Sequence, residues 1–110
     1  MYWRNNREIY LTYLTEVMLQ QTTVSTVQNK LPIILKEFPD FDSFKSKKIN
    51  DFLKCWSGLG YYNRAVNFFK SVSIINDNLN GILPKNKNEL LNLPGIGEYT
   101  ANAIIAIGYN

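Results

Sequence analysis

The sequence predicts an all-α protein, and three observations carry the prediction. Apolar residues recur at i, i+3, i+4 and i+7 through most of the chain. No segment of useful length alternates apolar with polar side chains, as a half-buried strand would. Proline, glycine and asparagine fall chiefly between the periodic runs, where they end one helix before the next begins. At 110 residues the chain has room for one compact domain with a single core. It contains neither an internal repeat nor a linker long enough to divide two domains.

Tyr10, Tyr13, Leu14, Val17, Met18 and Gln21 mark the first amphipathic helix. Val24, Val27, Leu31, Ile34, Leu35 and Phe38 mark the second, in which Pro32 calls for a kink or for a restart with proline in the first turn. Pro39-Asp40-Phe41-Asp42 breaks the periodicity, and Asp42 or Ser43 is expected to cap a short helix. The basic run Lys45-Ser46-Lys47-Lys48 reads as a solvated face leading into a helix with Ile49, Phe52, Leu53 and Trp56 on its apolar side. Gly58 and Gly60 separate that helix from a long one whose stripe is Tyr62, Ala65, Val66, Phe69, Val72 and Ser73. Asn78-Leu79-Asn80-Gly81 ends it, with Asn80 or Gly81 left-handed. Ile82-Leu83-Pro84 is extended, a short helix lies near Asn88 to Leu93, and a last helix carries Ala101, Ile104, Ile105 and Gly108 on one side.

Composition narrows the function. Twelve Lys plus Arg against nine Asp plus Glu leave a formal charge of +3, which permits contact with a polyanion without requiring it. Histidine is absent, so proton transfer would fall to a carboxyl, tyrosine or lysine with a displaced pKa. The single cysteine, Cys55, excludes an intramolecular disulfide and a multi-cysteine metal site within these residues. Between Phe52 and Trp56 it reads as a small buried apolar residue. No run approaches the roughly 20 apolar residues of a membrane span, and the first residues lack the apolar centre of a signal peptide. The cytoplasm is the expected location.

The most informative stretch is Leu93-Pro94-Gly95-Ile96-Gly97, running into Glu98-Tyr99-Thr100-Ala101. Proline fixes φ, while two glycines two residues apart allow positive φ and close backbone approach. A phosphate suits the helix start that follows, where unpaired N–H groups and the dipole both favour negative charge. The same turn serves an ordinary αα-hairpin as well. Glu16 is the residue best placed for chemistry, on the shoulder of the first helix's apolar stripe, one turn before Gln20. A boundary carboxyl beside Val17, Met18 and Leu19 can lose water and rise in pKa toward a general acid, although pattern alone also fits a surface glutamate.

Three blocks, Thr15-Glu16-Val17-Met18-Leu19-Gln20-Gln21-Thr22, Gly58-Leu59-Gly60-Tyr61-Tyr62-Asn63-Arg64-Ala65 and the hairpin of residues 93–104, resemble in order and spacing the signatures of the A/G-specific adenine DNA glycosylases. These are the MutY branch of the helix-hairpin-helix base-excision repair superfamily, and the likeness runs from about Trp3 to the last residue. It implies a six-helix bundle with a helix-hairpin-helix near residues 88–108. It also implies a monofunctional enzyme that removes adenine mispaired with 8-oxoguanine or guanine from double-stranded DNA, acting as a monomer on the nucleoid.

By the same resemblance Glu16 matches the catalytic acid that protonates the extruded adenine, and Tyr99 matches a tyrosine that nears the acid and the sugar. Bifunctional relatives carry a lysine nucleophile at the position of Tyr99, so a Schiff base and strand cleavage are not expected. Trp3, Arg4 and Leu19 fall where the family lines the base pocket. Gln21 and Tyr61 match residues inserted beside the lesion; Tyr61 is assigned that role because Tyr62 begins the apolar stripe. Gly95 and Gly97 supply phosphate-facing backbone, aided by Thr100 as a nearby donor.

The sequence also departs from the family. It ends at Gly108-Tyr109-Asn110, before the Leu-Asp-Gly or Val-Asp-Gly segment whose aspartate stabilises the sugar cation in relatives. The four cysteines of the [4Fe-4S] cluster expected in the full-length enzyme, and the lesion-reading domain, would also lie beyond. No cofactor is expected within these residues, and the 110 residues are expected to bind DNA weakly, with little or no activity alone. The alternatives are a non-catalytic helix-hairpin-helix DNA-binding module and a helical domain that contacts another protein.

Overall fold

The protein's structure is a computed structural model and describes residues 5–108. Its elements are α1 (Asn6–Leu19), α2 (Val24–Glu37), a 3-10 turn (Asp42–Ser46), α3 (Ile49–Trp56), α4 (Tyr62–Asn78), α5 (Lys87–Leu91) and α6 (Glu98–Gly108). There is no strand among the described residues, so the all-α, six-helix expectation holds. Trp3 and Arg4, expected at the base pocket, lie outside the described residues.

Asn5 starts α1 by accepting the Glu8 N–H on its side-chain oxygen at 2.9 Å, satisfying one of the helix's orphan donors. The helix then buries Ile9, Tyr10, Tyr13, Leu14, Val17 and Met18, and it packs against α2, α4 and α6. Tyr10 donates its hydroxyl to the Phe38 carbonyl, and its ring meets Phe41 edge-on at 5.0 Å between centroids. Phe38, Phe44, Phe52 and Phe68 continue this aromatic cluster, which gathers segments from α1, α2, α3 and α4 into one core. Burial pushes the pKa of both Tyr10 and Tyr13 well up, with the Asp40 carboxylate adding to the effect at Tyr10.

Several local expectations change. Helix α2 continues through Pro32 without a restart; the carbonyl that proline deprives of a helical N–H belongs to Gln28, an exposed residue. The short 3-10 turn has Phe41 at its N-cap, not Asp42 or Ser43, and the carboxylate of Asp40 just before it accepts the Ser43 N–H at 2.8 Å. Asp42 pairs outside with Lys45 at 2.9 Å, and Lys47 reaches Glu37 at 3.0 Å, so the basic run is a solvated face. Cys55 is half-buried rather than enclosed, and its thiol is raised by burial. The stripe of α4 begins at Ala65, not Tyr62, which is 47% exposed; Ala65, Phe68, Ser71, Val72 and Ile75 face the core. As expected, that helix ends on left-handed Asn80 and Gly81, with the Gly81 N–H bonded back to the Ile75 carbonyl at 2.9 Å.

Candidate nucleic-acid interface and acid site

The hairpin between α5 and α6 is anchored from below. Asn86 caps α5 by accepting the N–H groups of Asn88 and Glu89, and Leu90, Leu93 and Ile96 are buried beneath the turn. Gly95 sits at φ +77°, and a Cβ there would stand 2.8 Å from the Cβ of Asn67 on α4. Two independent constraints therefore require glycine at 95. Gly97 is different: its φ is ordinary, and a Cβ there would meet nothing within 4 Å. Nothing inside the protein requires a bare backbone at that point. Its carbonyl accepts the Ala101 N–H at 3.0 Å, so the N–H groups of residues 98–100 belong to the first turn of α6, which has no helical acceptor. Lys87 and Glu98 close the base of the hairpin from opposite helices at 3.1 Å.

Helix α6 lies antiparallel to α1. At one end Gln20 donates its side-chain amide to the Thr100 hydroxyl at 3.0 Å; at the other, Ile107 shares a shallow depression of about 310 Å³ with Leu11, Thr12, Thr15 and Glu16. Glu16 is half-buried in that depression. Tyr99, beside Thr100, is 72% exposed and is no core aromatic. Thr100 requires a correction. Only 1% exposed and bonded to Gln20, its hydroxyl points into the α1–α6 contact and is not available as a donor to a phosphate.

Leu19 is half-buried against the core at the end of α1. Gln21 follows at φ +60° and is exposed. Tyr61 precedes α4 at φ +49° with 59% of its surface exposed. Left-handed backbone is uncommon for either residue type.

Arg64, a motif residue with no role legible in the sequence, joins these segments. Its guanidinium donates to the carbonyls of Val17 at 2.6 Å and Met18 at 3.2 Å, and to the Thr22 hydroxyl at 3.1 Å. It also lies over the rings of Trp56 and Tyr61. The signal for it was present: a cation in the first turn of a helix opposes the dipole, so a partner elsewhere was to be expected. A four-cysteine cluster has no ligands here, since Cys55 is the chain's single cysteine. Among the described residues no group of three or more His, Cys, Asp or Glu is placed to hold a metal. Nor is any helix among them long and apolar enough to cross a membrane.

The helix-hairpin-helix motif family matches residues 78–107, the segment that contains α5, the glycine turn and most of α6. Adenine DNA glycosylase from Buchnera aphidicola subsp. Baizongia pistaciae is 42% identical over 108 residues, covering 98% of this chain and 31% of that protein. The chain is homologous to adenine DNA glycosylases. The human adenine DNA glycosylase is 34% identical over 105 residues, 94% of this chain and 19% of that protein. The chain thus spans about a third of the length of the first curated bacterial relatives it matches. A solved thermostable thymine-DNA glycosylase superposes with a TM-score of 0.83 at 25% identity, over 97% of this chain and half of that one. A trapped endonuclease III–DNA covalent intermediate with an estranged adenine has the same fold, with a TM-score of 0.83 at 22% identity over 98% of this chain and 50% of that one.

Proposed function

We propose that these residues form the duplex-gripping and proton-donating part of an adenine DNA glycosylase acting in base-excision repair. The observation that carries the reading is Gly97, a glycine that neither its backbone angle nor its neighbours require, at the mouth of an unpaired helix start. Bare backbone there serves something outside the protein, and a phosphate oxygen is the natural acceptor for N–H groups so presented. Gln21 and Tyr61 enter the duplex beside the target, where an aromatic ring can fill a vacated stacking position and an amide can probe a base edge.

In this reading Glu16 gives its carboxyl proton to a ring nitrogen of the extruded adenine. The electron pair of the N-glycosidic bond then leaves with a neutral base, and water captures the sugar cation, releasing a proton to solvent. Tyr99 carries a phenol and no amine, so the product is an abasic sugar without strand cleavage. The substrate is adenine opposite 8-oxoguanine or guanine, and the enzyme works as a monomer on the nucleoid. The [4Fe-4S] cluster of the full-length enzyme has no ligands among these residues, and no step above depends on it.

Two measurements test the reading. Duplex binding titrated against salt should weaken at least about tenfold in Gly97→Val, since a branched side chain blocks the approach of a phosphate. Unchanged affinity would remove the hairpin from the interface. Adenine release opposite 8-oxoguanine by the complete natural polypeptide should fall by at least about a hundredfold in Glu16→Gln, the usual range for loss of a positioned acid. Equal rates would leave a DNA-binding module without chemistry.

A further inference from the structure

The geometry points to Arg64 as a positioning residue that holds Gln21 and Tyr61 in the conformations from which they enter the duplex; this rests on the reading of those two residues as wedges given above. Three non-glycine residues among those described have positive φ: Gln21, Tyr61 and Asn80. Asn80 is accounted for by its place at the end of α4, where asparagine is common. Glutamine and tyrosine are not residues that adopt this backbone readily, so something must hold them.

Arg64 contacts the Tyr61 ring directly, and it reaches Gln21 only through residues that flank it in the chain. Its two terminal nitrogens grip Val17 and Met18 on one side of Gln21 and Thr22 on the other. Its guanidinium carbon lies 5.5 Å from the Tyr61 ring centre and 5.3 Å from that of Trp56. Trp56 in turn donates its indole N–H to the Gly60 carbonyl at 2.9 Å, fixing the residue just before Tyr61. One planar cation therefore ties the turn after α1 to the turn before α4. It is seated at the C-terminal end of α1, where the dipole favours it, although its own helix start does not. A lysine has the charge but not the fork, and its compact ammonium cannot span the two carbonyls, the hydroxyl and both rings at once. Wedges ordered in advance spare the complex the cost of ordering them on binding.

The test uses the complete natural polypeptide and a duplex carrying 2-aminopurine next to a mispaired adenine, whose fluorescence rises on unstacking. Wild type should raise the signal, and Tyr61→Ala and Gln21→Ala should each reduce it. Arg64→Lys should reduce it at least about fivefold while total duplex affinity stays within about threefold, because the hairpin's phosphate contacts are untouched. Adding Gln21→Ala to Arg64→Lys should lower it no further. Thr22→Val, which removes one acceptor and leaves the cation in place, should move the signal in the same direction and serves if the Arg64 variants do not fold. The inference is overturned if Arg64→Lys and Thr22→Val unstack the duplex as wild type does, or if affinity and unstacking fall in equal proportion. A signal insensitive to Tyr61→Ala and Gln21→Ala would sink the wedge reading itself, and the role of Arg64 with it.

Discussion

Replacing either hairpin glycine by alanine separates a glycine the fold needs from one it does not. At Gly95 the new methyl would force an L residue into left-handed backbone at φ +77°, a cost of about 1–2 kcal/mol. It would also stand 2.8 Å from the Asn67 Cβ, where carbon atoms prefer about 3.5–4.0 Å. No rotamer change moves a Cβ, so α4 and the hairpin must part by roughly the difference, with an overpacking cost of about 1–3 kcal/mol. The sum for Gly95→Ala is about 2–5 kcal/mol, on the order of 10 °C or more in Tm for a domain of this size. Gly97→Ala meets open space at an ordinary φ. There, a smaller unfolded-state entropy and a poorer residue at the helix start offset each other, leaving a change within about 0.5 kcal/mol. Urea denaturation followed by circular dichroism measures both, with equal m-values confirming a common unfolded state. A Gly95→Ala protein within about 0.5 kcal/mol of wild type would refute the argument that Asn67 and the backbone angle demand glycine.

Thr100→Val keeps the shape and removes the acceptor of the Gln20 amide; it should cost about 1–3 kcal/mol in a denaturant titration while leaving duplex affinity unchanged. Phe52→Ala empties the centre of the aromatic cluster formed with Phe38, Phe68 and Trp56, and calorimetry should register a loss of about 3–5 kcal/mol. Raised folded-state pKa values for Tyr10 and Tyr13 mean that their stabilising contribution is complete below about pH 10. Above that pH the unfolded chain releases protons that the folded one keeps. Stability should then fall by up to about 1.4 kcal/mol per pH unit for each tyrosine. Alkaline titration of the far-ultraviolet signal reads this directly, and Tyr10→Phe should halve the slope.

Much of the fold could be read without coordinates because helix periodicity is local. The stripe of α1 emerged almost residue for residue, and Asn80 and Gly81 at the end of α4 were legible from the chemistry of helix termini. Expectations failed where two elements compete for one side chain. Tyr62 sits in phase with the α4 stripe, yet it is 47% exposed and the buried stripe begins one turn later at Ala65. Thr100 looks like a free donor until Gln20 from α1 is found against it. The Asp40 bond to the Ser43 N–H is a different kind of miss, a local turn between residues three apart.

Sequence by itself determined the helices, their order, and the glycine turn that follows α5, since each depends on residues within a few positions of one another. Only the tertiary structure decided that one of two similar glycines is demanded by a neighbouring helix and the other is not. It also decided that a single arginine bridges the end of α1, with the turn that follows it, to the turn before α4. Those assignments depend on distances between segments brought together by burial of the aromatic core, and no local pattern encodes them.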